Sequence, residues 1–143
     1  MYVETEIRPR FCETDALGHI NNTVLPVWFE DGRSCLLQQL PRGAEQGVAA
    51  HLAIDFLAEL RLRPEVIIRT GIHKVGLKSY EFYQEAWQRE KICARAWVVI
   101  VRWDPRTRQT CPIPEDERMA FEAFMFDESL RANTARERSK APF

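Results

Sequence analysis

Residues 23 to 40 carry the only long helical periodicity followed by a succession of strand-like segments, and that pairing limits the folds open to this chain. Leu25, Trp28, Phe29, Cys35, Leu36 and Leu40 recur at steps of three and four, which is the spacing of one apolar helix face. Asn22 or Thr23 offers a capping side chain, and Pro26 falls in the first turn, where a missing N–H costs little. Gly32 lies on the apolar face itself. Glycine there gives up about 1 kcal/mol of helix propensity, a cost that close approach to a sheet would offset.

The remaining segments read as strands. Residues 2 to 11 alternate weakly through Val3, Ile7 and Phe11 and suit a first strand ending near Pro9, followed by a polar loop over 12 to 21. From Val48 to Leu60 apolar and polar residues alternate, although His51, Asp55 and Glu59 also have helical spacing. Residues 66 to 75 are rich in β-branched side chains. Residues 79 to 88 are aromatic-rich, and Arg89-Glu-Lys91 turns the chain into the apolar run 92 to 103, an antiparallel hairpin. Pro112 and Pro114 precede three acidic residues that open a short second helix over 115 to 124. A helix of about 17 residues is roughly 25 Å long, close to the width of five strands at about 4.8 Å each. The expected class is therefore α+β, a curved antiparallel five-stranded sheet wrapped around one long helix, with a short helix after it. One domain over 1 to 128 and a polar tail over 129 to 143 complete the expected organisation.

Of 143 residues, 20 are Lys or Arg and 21 are Asp or Glu, giving a net charge of -1. No overall field draws such a chain to nucleic acid or anionic lipid, so neither is expected as a partner. No apolar run approaches a membrane span. The first residues have neither a positive nor an apolar leader region, so the cytoplasm is the expected location. Cys12, Cys35, Cys93 and Cys111 form no C-x-x-C pair and read as reduced and mostly buried. His51 and His73 have no metal-ligand spacing around them, so no metal or other cofactor is expected.

The densest polar cluster is the loop Phe11-Cys-Glu-Thr-Asp15-Ala-Leu-Gly-His19-Ile-Asn-Asn22, just before the helix. Unsatisfied amides at a helix start polarise a carbonyl and stabilise an oxyanion. Asp15 beside them supplies a base or nucleophile and His19 a proton-transferring imidazole. Gly18 would let the backbone approach a ligand. The structural alternative has Asp15 capping the loop, Gly18 making a turn and His19 bonding to backbone.

Thr14-Asp15-Ala-Leu-Gly18-His19-Ile-Asn21-Asn22 followed by Trp28-Phe29-Glu30-Asp31-Gly32-Arg33, then Val75-Gly76-Leu77-Lys78-Ser79 and Ile113-Pro114-Glu115 to Arg118, resembles the hotdog-fold acyl thioesterases of the 4-hydroxybenzoyl-CoA thioesterase type. The resemblance covers about residues 2 to 125. It implies hydrolysis of a coenzyme A or acyl-carrier-protein thioester, with Asp15 as catalytic carboxylate and His19 as its orienter or a proton donor. It also implies substrate contacts from Gly18, Asn22, Thr23, Leu25 and Lys78, and a homodimer or homotetramer with sites between subunits. Leu17 stands where plant acyl-carrier-protein thioesterases have a catalytic Asn, and Leu25 where many relatives have Tyr. Lys74, Lys78, Arg106 and Arg108 are candidates for the phosphates of coenzyme A. Glu30 and Arg33 read as a helical ion pair. Two other functions compete. Hydratases of the same fold carry D-x-N-P-x-H, which Asp15 to His19 does not match, and a non-catalytic acyl-binding module would be consistent with Leu17 and Leu25.

Overall fold

The computed structural model describes residues 1–41 and 47–127; the expected tail over 129 to 143 lies outside the described residues. Five antiparallel strands, β1 (Val3–Ile7), β2 (Gly47–Phe56), β3 (Val66–Val75), β4 (Ser79–Gln88) and β5 (Lys91–Asp104), form a sheet in the order β1-β3-β4-β5-β2. A two-residue strand, β6 (Gln109–Thr110), pairs with the end of β5. Helix α1 (Leu25–Leu37) lies across the concave face, and α2 (Glu115–Glu122) follows the sheet. The expected architecture is present.

α1 is shorter than its periodicity suggests. Its 13 residues span about 20 Å, because the chain enters through a 3-10 turn, Asn22–Val24, and leaves through i to i+3 bonds from Gln39 to Leu36 and Leu40 to Leu37. The cap is Asn21 rather than Asn22 or Thr23. With the turn starting at Asn22, Asn21 has the extended backbone a cap needs, and its Oδ1 accepts from Thr23 N at 3.0 Å.

Gly32 is the point of closest approach between helix and sheet. A Cβ placed there would lie 2.7 Å from Ile68 Cγ2 and 2.7 Å from Thr70 Oγ1. Around this contact, Leu25, Trp28, Phe29 and Leu36 are buried against Val66, Ile68, Phe82, Ala96 and Val98. The fully buried Gln84 ties the layers together: its Nε2 donates to Phe29 O at 2.8 Å and to Thr70 Oγ1 at 2.9 Å. Its Oε1 accepts from Arg33 Nη1 at 3.0 Å. Arg33 thus hydrogen-bonds toward the sheet, while the charge of Glu30, its expected partner at i, i+3, also acts on it.

After α2 the chain returns to the stretch of β3 that lies beyond its pairing with β1. Ile72 N donates to Phe124 O and Phe126 N to Ile72 O. α2 itself is held by the buried Glu117, which pairs with Arg102. The four cysteines are free, but only Cys93 is buried and Cys12 is exposed, so apolar neighbours in sequence were a poor guide to burial. His73 pairs with Glu81 on the facing strand. No described helix is long and apolar enough to cross a membrane.

Gly32→Ala separates helix propensity from packing. It gains up to about 1 kcal/mol as a helix residue but forces the helix off Ile68 and Thr70, and overpacking of this kind costs about 1–3 kcal/mol. Urea denaturation is expected to show net destabilisation.

Candidate active site

The loop between β1 and α1 is folded back on itself. Phe11–Glu13 forms a 3-10 turn, and Thr14 bridges to Ile20 as an antiparallel pair. Its anchor is Glu13, which is 8% exposed. Glu13 Oε2 accepts from the buried Trp28 indole at 2.9 Å. Oε1 accepts from Arg10 N at 2.8 Å and Arg10 Nε at 3.3 Å, and the Glu13 carbonyl accepts from Asn21 N. The carboxylate thus fastens the start of the loop to the helix, and the backbone carbonyl of the same residue holds its far end at Asn21. Burial alone would raise its pKa, but the Arg10 amide, the Trp28 indole and the Arg10 guanidinium together hold it below its ordinary 4.5.

Within this frame Asp15 Oδ1 accepts from Leu17 N at 2.9 Å and His19 N at 3.1 Å. The two amides fix the carboxylate, and Oδ2 has no hydrogen-bond partner among the described residues. Gly18 has φ +79 and open space where a Cβ would be. The left-handed turn calls for a glycine here, as the structural alternative had it. The His19 ring does not orient Asp15. Its Nε2 pairs with Glu59 Oε2 at 3.1 Å, and the same oxygen takes Arg61 Nη2 at 3.2 Å.

Asp15, His19, Asn22, Leu25, Phe56 and Glu59 line an open cleft of ≈ 380 Å³. Leu25, 3% exposed, forms its floor. Thr23 is exposed, and its hydroxyl is bonded to Asn21, so its side chain is occupied outside the cleft. Leu17 is 78% exposed and also lies outside it, which keeps the departure from the Asp-Asn-His pattern off the cleft wall. Lys78 is at the far end of the sheet. It sits next to Ser79, which pairs with Val101, whereas the cleft is level with Phe56 and Ala94. Ala94 pairs with Ala86, so seven residues of β4 separate the two levels, roughly 23 Å at about 3.3 Å per residue.

A family model described as the thioesterase-like superfamily matches residues 9–123, the polar loop and both helices included. The chain belongs to that superfamily. A predicted thioesterase from Bacillus stearothermophilus is 32% identical, with a TM-score of 0.82 over 89% of this chain and 98% of the other. A thioesterase from Thermus thermophilus, complexed with coenzyme A and zinc, is 25% identical with a TM-score of 0.78, over 85% and 92% of the two chains. A gentisyl-coenzyme A thioesterase shares the fold at 22% identity and a TM-score of 0.75, over 83% and 99%. No curated protein matches significantly.

The chain is thus a thioester hydrolase of the hotdog fold, and its polar loop, matched by the family model, is where the hydrolase has an anchored carboxylate beside a helix start. Two residues of this candidate site escaped the sequence reading. Glu59 was visible only as the last of the polar trio His51, Asp55 and Glu59. Glu13 had no signal of its own, because its role depends on an indole 15 residues away. No cluster of three or more His, Cys, Asp or Glu placed to hold a metal ion occurs among the described residues.

Removing the anchor is measurable in this thioesterase. Glu13→Ala leaves the Trp28 indole unpaired in the core and is expected to cost about 1–3 kcal/mol, read by thermal or urea unfolding. The folded-state pKa of Glu13 is depressed, so its contribution is full above the unfolded carboxyl value and fades as pH falls through the lower folded value. Stability of the wild type is expected to decline with acid below about pH 4.5, and Glu13→Gln to flatten that part of the profile.

Proposed function

We propose that the chain hydrolyses acyl-coenzyme A, with Asp15 as general base and the Asn22 amide as oxyanion donor. The observation that carries this reading is the division of labour within one carboxylate. Oδ1 is held by two backbone amides and Oδ2 is left for chemistry in a cleft that starts at a helix N-terminus. At that terminus the Thr23 amide is taken by Asn21 Oδ1 and the Val24 amide by Asn21 O, so the first amide of the turn, at Asn22, is the donor assigned to the thioester oxygen. Coenzyme A as the leaving thiol follows the Thermus thermophilus neighbour, which holds it.

Asp15 takes a proton from a water as the water oxygen bonds to the thioester carbon. The carbonyl electron pair moves onto oxygen and is stabilised at Asn22 N–H. Collapse of the tetrahedral intermediate breaks the C–S bond, and the proton returns to the departing thiolate. His19, steered by Glu59 across the cleft, is assigned the positioning of water and thiolate.

The acyl group needs a wall that the single chain lacks. β2 is the sheet edge, and its Leu52 and Phe56, opposite the inward-facing Val98 and Ala94, are still 43% and 45% exposed. An open apolar edge of this kind is managed by pairing, so the functional unit proposed here is a homodimer through β2. Antiparallel pairing of two such edges sets the Gly47 end of one beside the Phe56 end of the other. Lys78 then approaches the cleft from the second subunit and never from its own.

Asp15→Asn keeps the Oδ1 acceptor and removes the base. It is expected to lower kcat by about 10²- to 10⁴-fold with the fold intact, measured by thiol release from an acyl-CoA panel, and full activity would refute the assignment. Single-turnover hydrolysis in ¹⁸O water is expected to place the label in the acid and none in Asp15; label in Asp15 would show that it attacks directly. Leu52→Glu is expected to sediment as a monomer and to lose activity, whereas a monomeric, active wild type would contradict the dimer.

A further inference from the structure

Helix α1 packs mainly on β1 and β3, which leaves the far side of the concave face less covered. There Leu52 and Phe56 of β2 stay exposed, and the flank of α1 that overlooks them carries Arg33. Its hydrogen bond fixes the direction. Arg33 Nη1 donates to Gln84 Oε1 at 3.0 Å, and Gln84 belongs to β4, the strand beyond β3 as seen from β1. The guanidinium therefore leaves the helix on the side away from β1, toward β5 and β2.

This half-buried arginine has no anion beside it. The arginines within the strands, Arg69, Arg95 and Arg102, each pair with a carboxylate, of Glu4, Asp55 and Glu117 in turn. Arg33 pairs with none among the described residues, and the neutral Gln84 amide takes only one of its N–H donors. Glu30, one turn earlier, acts on it through its charge without closing an ion pair, and the Tyr80 phenol, which burial pushes up to about 12, stays uncharged. Burial outweighs Glu30 and lowers the pKa of the guanidinium. A charge drawn out of water in this way calls for a counter-charge.

We infer that Arg33 receives a carboxylate at the far end of the acyl group, so that the substrate class is the coenzyme A thioester of a short dicarboxylic acid. The inference rests on the acyl-CoA reading above. Phe56, on the cleft wall, is level with Ala94, whereas Gln84, which holds Arg33, is level with Ala96 and Ile54. The offset from Ala94 to Ala96 is two residues, about 7 Å at about 3.3 Å per residue. A few methylenes cover that span, along Phe56 and Ile54. At its end the guanidinium fork matches two carboxylate oxygens. An acyl chain ending in a methyl group would leave the charge of Arg33 unpaired beside it.

The test is the ratio of kcat/KM for adipoyl-CoA to that for hexanoyl-CoA, thioesters of equal length that differ in the terminal carboxylate. Wild type is expected to favour adipoyl-CoA about tenfold or more, the worth of a hydrogen bond between charged groups. Arg33→Met keeps an unbranched stem without the charge and is expected to bring the ratio to unity, and any general loss of fold or activity cancels in the ratio. Arg33→Lys keeps the charge without the fork, and its ratio is expected to fall between the two. Calorimetric titration of Asp15→Asn with both thioesters is expected to show the same preference in Kd without turnover, lost when Arg33→Met is added. A wild-type ratio of unity or below, or a ratio that Arg33→Met leaves unmoved, would overturn the inference and leave the hydrolase reading standing. Dissociation of a dimer by Arg33→Met with the ratio unmoved would overturn it in favour of a carboxylate from a second copy. Hydrolysis of neither thioester by wild type, with adipoyl-CoA still bound more tightly through Arg33, would refute the hydrolase reading and leave the carboxylate subsite standing.

Discussion

The seat of α1 on β3 at Gly32 is the constraint from which the rest of the structure follows. With no side chain on that residue, the helix approaches Ile68 and Thr70 so closely that even a Cβ would collide. Gln84 then satisfies a helix carbonyl and a strand hydroxyl across the gap. Once the helix is fixed there, its first turn has a single position relative to the ends of β2 and β4. The loop that precedes it must fold into the space left over. Glu13 reads that position through the Trp28 indole and passes it to Asp15 through a few residues of hydrogen-bonded backbone. The Asp15 carboxylate is therefore placed by packing at the middle of the helix as well as by its own hydrogen bonds.

Much of this was legible in the sequence. Six apolar residues at helical steps marked the long helix, β-branched and aromatic runs marked the strands, and a glycine on the apolar face announced the close approach. Helix ends were less legible because a 3-10 entry and i to i+3 exit bonds leave no mark on apolar periodicity, so Asn22 and Thr23 were expected where Asn21 caps. Asp15, His19, Asn22 and Leu25 do meet in one cleft. The ring of His19 turns to Glu59 because the chain leaving β2 passes in front of it, a tertiary fact that no local pattern carries.

Lys78 shows where sequence order misleads. Successive hairpins in an antiparallel sheet turn at alternate ends, so the β3–β4 turn with Lys78 and the β4–β5 turn with Arg89 lie at opposite poles of the molecule. Basic residues near strand ends look alike in the sequence, and only the parity of the turns decides which can face the helix start. That parity sets Arg61, Arg89 and Lys91 at the same pole as the helix start. It sets Lys78 at the opposite pole.

The decisive measurement is a crystal structure with a non-hydrolysable acyl-CoA analogue, its thioester sulfur replaced by methylene. The analogue's carbonyl oxygen is expected within hydrogen-bond distance of Asn22 N, with its carbonyl carbon facing Asp15 Oδ2 in the cleft walled by Leu25 and Phe56. A carbonyl bound away from Asn22, with Asp15 out of reach of the carbon, would contradict this placement of the chemistry.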